Sequence, residues 1–277
     1  MTSFPDKPHR PIGFWARRTD SDLARLFLGG IASFAVKVLN TALIFLATVM
    51  LARNLGPDGY GSYALAYSIA MILSVACQFG LPQLLIRETA KAKSHCDWSI
   101  LRGLWYWSAL LTLFISVIVL FSTVSLLVFS PESFESVDRG AVFVGLLLAP
   151  VLAFCSLAGA STRGLGKTLL GQLGEFVVRP GLFLVFLVVV MFASFDLDPA
   201  VAMTLYLAAA MASLLVASLI LIGAQPGSLR AARAREYRKS QWFRSTLPLA
   251  LVGAFHLLIG YSDILILSWF RPASDVG

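Results

Sequence analysis

The sequence predicts an all-α integral membrane protein with about seven transmembrane helices. Hydrophobic residues make up 58% of the 277-residue chain, and charged residues only 13%. A soluble globular domain is about 45–50% apolar and about 25% charged, so this chain has too little polar surface to cover itself in water. Its apolar runs are also long enough to cross a bilayer, which takes roughly 20 residues of helix.

Seven apolar runs account for the predicted number of helices. They are rich in Leu, Val, Ala, Ile and Phe and show no period-two alternation. Inside lipid, each backbone polar group must be paired within its own segment, which favours helices. The predicted spans are Gly30–Leu51, Tyr63–Leu85, Leu104–Phe129, Ala141–Ser161, Phe176–Phe195, Ala200–Ile222 and Leu247–Phe270.

The positions of Lys and Arg predict a cytoplasmic N-terminus. Eighteen of the 22 lie in the N-terminal tail and in alternate loops, and only three lie in the opposite loops. Cytoplasmic loops carry such an excess, so the net charge of +7 needs no nucleic-acid partner. The predicted organisation is a basic cytoplasmic tail at 1–29, a six-helix lobe at 30–223, a basic cytoplasmic linker at 224–246 and one further helix at 247–277.

No pattern in the sequence predicts a cofactor, a metal site or an enzyme. Cys77, Cys96 and Cys155 lie too far apart to form a metal-binding motif. The segment Gly164–Thr168 is similar to the end of a phosphate-binding loop, but Ser161 stands where that motif needs its first glycine. No His, Asp or Glu constellation suggests catalysis.

Polar side chains within or beside the spans are the candidate functional groups. An ionisable side chain at a helix centre costs roughly 2.5–3.5 kcal/mol on insertion, so it usually faces a cavity or a partner. The candidates are Lys37, Asn40, Gln78, Glu175, Arg179 and Asp263. Structural explanations compete for two of them. Lys37 could snorkel to the interface, and Glu175 could form a clamp with Arg179 four residues on.

Several stretches are typical of one family of membrane proteins. They are Leu51–Leu65, Gln78–Pro82, Leu85–Ala90, Glu175–Pro180 and Asp263–Leu267. In their order and spacing they resemble the polysaccharide flippases, the Wzx-like exporters of the multidrug/oligosaccharidyl-lipid/polysaccharide superfamily. The resemblance covers nearly all of the chain after residue 25.

The resemblance implies a MATE-like fold, with two six-helix lobes around a central cavity. The pattern of Phe270–Gly277 is similar to that of Asn54–Gly61, which follows the first helix. We therefore expect the seventh helix to begin a second lobe, related to the first by an axis along the membrane normal. The chain would then be the N-terminal part of a longer transporter.

The resemblance also implies a function in the bacterial inner membrane. The expected substrate is an oligosaccharide linked to undecaprenyl pyrophosphate, carried across the bilayer by alternating access. Candidate contacts for the pyrophosphate head group are Lys37, Arg87 and Arg179. Candidate polar or coupling groups of the cavity are Asn40, Gln78, Glu175 and Asp263. The expected partners are the lipid-linked oligosaccharide, the lipid bilayer and a coupling cation (H⁺ or Na⁺), with no nucleic acid.

Three alternatives stay open at this stage. A cation-coupled multidrug exporter of the same superfamily is the nearest, although the basic candidates favour an anionic substrate. A membrane-embedded transferase would need a catalytic constellation at one interface, which the sequence does not show. A non-transporting membrane scaffold is the third.

Overall fold

The computed structural model describes residues 20–129, 139–193, 196–231 and 236–270, with side chains for 27–125, 140–193, 196–229, 236–253 and Phe255. The described chain is helical throughout. Its helices are α1 Asp20–Gln78, α2 Leu81–His95, α3 Trp98–Phe129, α4 Arg139–Gly164, α5 Thr168–Leu173, α6 Arg179–Phe192, α7 Pro199–Ala224, α8 Gly227–Ala231 and α9 Lys239–Phe270, with a π turn at Gly174–Val178 between α5 and α6.

Helix α1 consists of two helices that meet at Gly56. This residue has φ 68° and ψ 178°, which is not helical. Glycine reaches such a φ without a Cβ penalty, and Pro57 follows with its fixed φ and no N–H donor. The turn that the sequence predicts at Asn54–Gly61 is therefore reduced to a break at one residue.

Five stretches of the described chain are long and apolar enough to cross a membrane. They are Phe27–Gln78, Trp98–Ser125, Gly140–Gly164, Thr168–Phe192 and Pro199–Ala224. The first, with 52 residues, is about 78 Å long and has the length of two crossings of a ~30 Å hydrocarbon core. The all-α, multi-pass fold is confirmed. The count of seven stays a prediction, because most side chains of α9 lie outside the described part.

Large apolar side chains on the outer faces of the spans are exposed. The relative exposure is 69% for Phe34, 76% for Phe121 and 65% for Leu215. Contiguous apolar surface of this kind is unfavourable in water and marks contact with lipid or with another protein. The exposed faces are therefore those expected of membrane-spanning helices.

The second predicted span is wrong at its C-terminal end. Instead of continuing to Leu85, α1 ends at Gln78, and the backbone turns at Phe79 (φ 46°) and Gly80 (φ 69°). Pro82 favours a helix start because its missing N–H has no partner in the first turn. Helix α2 is therefore a separate element, which buries Leu81, Leu84 and Leu85 against the rest of the bundle.

Helix α4 lies at the centre of the described bundle. Its most apolar stretch is 67% buried, against 11–28% for the other spans. Small residues allow this burial, because they let helix backbones approach closely. A Cβ at Gly159 would lie 2.6 Å from the carbonyl oxygen of Gly171, and a Cβ at Gly145 would lie 3.2 Å from the carbonyl oxygen of Ala66.

Residues 236–242, at the start of α9, pack against α3 and its neighbours. The sequence predicts a cytoplasmic linker over 224–246, yet helix α9 already begins at Lys239. The amide of Glu236 donates to the carbonyl of Ser99 at 3.2 Å. Trp242 is 1% exposed and lies 5.5 Å from the ring of Trp107. The end of the predicted linker is therefore held by specific contacts to α3 and its neighbours.

Candidate functional site

A cavity of about 200 Å³ lies between α1, the start of α6 and α7. The two halves of α1 line it on either side of the break at Gly56. Its wall combines aromatic rings, hydroxyl and amide groups and one charged side chain. The lining residues are Asn40, Ile44, Ala47, Thr48, Leu51, Tyr60, Tyr63, Ala64, Tyr67, Ser68, Arg179, Pro180, Phe183 and Tyr206.

Arg179 supplies the charge, and it lies near the middle of a helical stretch that is long and apolar enough to cross a membrane. The sequence places it at the start of a span over Phe176–Phe195, but the structure extends that span to Thr168–Phe192. Arg179 lies eleven positions after Thr168, which is about 16 Å of helix in a hydrocarbon core of ~30 Å. An ionisable group at this depth faces a bundle interior or a cavity and marks a functional site by default.

A π turn at Gly174–Val178 precedes Arg179. The backbone amide of Arg179 donates to the carbonyl of Gly174, five residues back. The same carbonyl accepts a hydrogen bond from the hydroxyl of Ser213 on α7 at 2.6 Å. Pro180 has no backbone N–H, so it cannot donate the next hydrogen bond of a regular helix. Single π turns occur frequently at functional sites, and this one positions the cavity arginine.

The guanidinium of Arg179 packs against aromatic rings. Its central carbon lies 6.0 Å from the ring centroid of Tyr206, within the range of a cation–π contact. Its Nε is fully enclosed and has no hydrogen-bond partner among the described residues. The structural alternative for these residues is a clamp between Glu175 and Arg179, but within the described part of the chain the two side chains form no salt bridge. Arg179 therefore lines the cavity without a salt bridge to Glu175, and its Nε is enclosed without a hydrogen-bond partner among the described residues.

Tyrosine and phenylalanine rings form a connected wall around this arginine. The rings of Tyr67 and Tyr206 meet edge to face at 5.3 Å, and those of Phe183 and Tyr206 at 4.8 Å. The rings of Tyr63 and Tyr67 stack at 6.0 Å. The hydroxyl oxygens of Tyr67 and Tyr206 lie 3.4 Å apart. All four residues line the cavity, so its wall includes aromatic rings and phenolic hydroxyls.

Of the seven candidates from the sequence, the structure brings Asn40 and Arg179 to this cavity. Both lie near the middle of their spans. Lys37 lies one turn before Asn40, on the exposed side of α1, and its side chain does not line the cavity. Glu175 is half-buried in the π turn and is also outside the cavity lining.

The remaining three candidates lie elsewhere. Arg87 is exposed on α2, where its Nε pairs with the carboxylate of the adjacent Glu88 at 3.2 Å. Gln78 is half-buried at the end of α1. Asp263 lies within α9, and its side chain is outside the described residues. The predicted site is therefore divided between a membrane cavity and more distant positions.

Sequence reasoning missed the four tyrosines of the cavity. Tyr60, Tyr63 and Tyr67 follow an i, i+3, i+7 pattern, which places them on one face of a helix. This pattern was visible in the sequence next to the family-like stretch, and it would have indicated an aromatic face. Tyr206 lies on α7, and no local pattern links it to the other three.

The fold is similar to that of a solved MATE-family structure. A solved structure described as the inward-facing conformation of a multidrug resistance MATE family transporter of the MOP superfamily matches with a TM-score of 0.62. The sequence identity is 18%, and the match covers 89% of this chain. At this identity the likeness concerns the fold alone. The chain spans 58% of the length of that transporter.

The family is defined more narrowly by the sequence. The family described as "Polysaccharide biosynthesis protein" matches residues 27–277, and the chain belongs to this family. The resemblance to polysaccharide flippases, predicted from the sequence, is thereby confirmed. A search of curated proteins gave no match.

Proposed function

We propose that this chain moves lipid-linked oligosaccharide units, carried on undecaprenyl pyrophosphate, across the bacterial inner membrane for the synthesis of cell-surface polysaccharide. Membership of the polysaccharide biosynthesis family and the MATE-like fold support a transporter of this kind. One observation carries the substrate class: Arg179, near the middle of a candidate span, lines a cavity whose other described lining residues are uncharged.

The charge of the cavity favours an anionic substrate. Arg179 is the charged residue among the cavity's described lining, which includes no Asp or Glu. A guanidinium presents several donors in a planar fork that matches phosphate oxygens. A cation-coupled multidrug exporter would instead need an acidic wall for a cationic drug. A cation in the middle of a span is costly to insert and is therefore expected to have a function. The membrane-scaffold alternative gives it none.

Mechanistically, the head group and sugars would cross inside the protein while the lipid tail stays in the bilayer. Lys37 and Arg87 lie outside the cavity, and in this proposal they contact the pyrophosphate before it reaches Arg179. Helix α9 would be the first helix of a second lobe, and rocking of the two lobes would expose the cavity to each side in turn. The N-terminus would be cytoplasmic, and Asp263 is the proposed site for a coupling H⁺ or Na⁺.

The proposal is tested with arginine variants in the chromosomal gene. Arg179→Lys keeps the charge but loses the planar fork, and Arg179→Gln loses both. We expect both variants to reach the membrane at normal levels, while lipid-linked oligosaccharide accumulates on the cytoplasmic face and surface polysaccharide falls. For Arg179→Gln this fall should be at least tenfold, which corresponds to a free-energy difference of about 1.4 kcal/mol. The matched control is Lys91→Gln, which removes an exposed cation on α2 outside the cavity.

Two outcomes would count against the proposal. One is normal surface polysaccharide in both Arg179 variants at normal protein levels. The other is unchanged polysaccharide together with lost resistance to a cationic drug, which would favour the multidrug exporter.

A further inference from the structure

The cavity beside Arg179 is small for a drug-sized ligand. Pockets for such ligands have volumes of roughly 300–1,000 Å³, whereas this cavity has about 200 Å³. That volume equals roughly seven waters at about 30 Å³ each. The cavity therefore has room for one ring-sized unit, and an oligosaccharide would extend beyond it.

The wall of the cavity has the chemistry of a site for a hydroxylated ring. The rings of Tyr63 and Tyr67 stack on each other and the ring of Tyr206 meets Tyr67 edge to face, so the three rings form one aromatic part of the cavity wall. A sugar ring has an apolar C–H face that packs on an aromatic ring and hydroxyl groups that need hydrogen-bond partners. The phenols of Tyr67 and Tyr206, with the amide of Asn40, supply donors and acceptors along the same wall.

The guanidinium of Arg179, which includes an enclosed Nε, adds a requirement for negative charge, because Arg179 is the charged residue among the cavity's described lining. This Nε has no protein partner among the described residues, although it is shielded from solvent. An anion in the cavity would pair with the positive charge of the guanidinium and would sit within reach of the ring that the tyrosines hold.

We propose that this cavity is a subsite for one anionic sugar unit, with the ring held by Tyr67 and Tyr206 and the adjoining negative group held by Arg179. The inference rests on the proposed function and adds that the cavity binds one sugar ring of the substrate. The negative group has two chemical sources. It is either the phosphate that links the first sugar to the lipid or the carboxylate of an acidic sugar further along.

The test measures binding of small probes to the 277-residue chain in nanodiscs of neutral lipid. The probes are glucose 1-phosphate, glucuronate, glucose and inorganic phosphate, observed by saturation-transfer NMR. We expect an anionic sugar to bind at least tenfold more tightly than glucose or phosphate alone, because it uses both parts of the site. A preference for glucose 1-phosphate assigns the linking phosphate, and a preference for glucuronate assigns the acidic sugar.

Variants separate the two parts of the subsite. Arg179→Gln should reduce the affinity for the anionic sugar to that for glucose. Tyr67→Leu and Tyr206→Leu each remove a ring. Both should weaken binding of the anionic sugar at least tenfold and leave the binding of phosphate unchanged. Tyr67→Phe and Tyr206→Phe keep the packing, so a loss in these variants reports on the hydroxyls and not on the fold. Tyr237→Leu, an exposed tyrosine outside the cavity, is the matched control.

The subsite would be overturned by phosphate binding as tightly as the anionic sugar, or by Leu variants that bind like the unmodified chain. Either result leaves the proposed function standing if the Arg179 strains still accumulate lipid-linked oligosaccharide. Failure of the proposed function has a different signature, namely Arg179 strains with normal export of surface polysaccharide.

Discussion

Two arginines with similar sequence settings have different surroundings in the structure. Arg87 and Arg179 both fall in family-like stretches, and both were expected at cytoplasmic helix ends. Arg87 is exposed and pairs with Glu88, a surface contact that contributes little, about 0–1 kcal/mol. Arg179 lies mid-span against Tyr206 with an unpaired nitrogen. Burial and partners, and not residue type, therefore distinguish the two side chains.

At the same scale, close glycine contacts predict where the bundle tolerates no side chain. A Cβ at Gly164 would lie 2.6 Å from the Cβ of Thr89 and 3.1 Å from the carbonyl oxygen of Ile86. Thr89 is fully buried and accepts a hydrogen bond from Trp105 at 3.1 Å, so it has little freedom to move. We expect Gly164→Ala to destabilise the protein by about 1–3 kcal/mol through overpacking.

Thermal unfolding in detergent, followed by tryptophan fluorescence, measures this effect as a lower melting temperature. Gly223→Ala is the control, because a Cβ there meets nothing within 4 Å. Equal melting temperatures for the two variants would contradict the close packing of α2 on α4.

Helix α9 shows how a basic segment packs against the preceding helices. Trp242 packs with Leu81, Leu84 and Leu104 in one buried cluster. Further along α9, a Cβ at Gly80 would lie 2.5 Å from the backbone nitrogen of Ala250. The first three turns of α9 therefore pack against α2, the turn before it and α3, although this part of α9 also carries basic side chains.

Removing the buried indole should release this end of α9. We expect Trp242→Ala to cost about 3–5 kcal/mol, as for other large aromatic side chains removed from a core. Trypsin should then cleave faster at Arg238, Lys239 and Arg244. Phe255→Ala, at a side chain 63% exposed, is the comparison, and unchanged cleavage in Trp242→Ala would show that the indole does not anchor the helix.

Sequence reasoning was most successful for elements with strong apolar runs. The third, fourth and sixth spans agree with the structure to within about six residues, because lipid requires long uninterrupted helices. The start of the fifth span was missed, since Arg179 and Glu175 were taken as a loop boundary and the π turn has no sequence signature of its own. The cavity was only partly predictable, because Tyr206 reaches it through the packing of α7.

For the whole molecule, the main expectation concerns topology. If α1 crosses the membrane twice, Asp58 beside the Gly56 break is periplasmic and Lys91 on α2 is cytoplasmic. Asp58→Cys should then react with an impermeant maleimide added to intact cells, and Lys91→Cys should react only after the cells are opened. The background needs Cys96→Ser, because Cys96 is exposed while Cys77 and Cys155 are buried.

Labelling of both positions from the same side would refute the double crossing. Reporter fusions extend the test along the chain. We expect fusions after Arg235 and after Gly277 to report opposite compartments, which would agree with the predicted seven crossings.

The π turn at Gly174–Val178 also predicts which single-residue deletions the protein tolerates. In a regular helix each residue advances by about 100°, so a deletion rotates every later side chain to another face. A π turn contains one residue more than the α-helical turn it replaces. Deleting Val177 should therefore restore a regular helix and leave Arg179 facing the tyrosines, whereas deleting Leu184 in α6 should turn the rest of the span away. Aligned relatives that lack one residue in this turn should still keep the arginine, and membrane expression of the two deletions measures the difference directly.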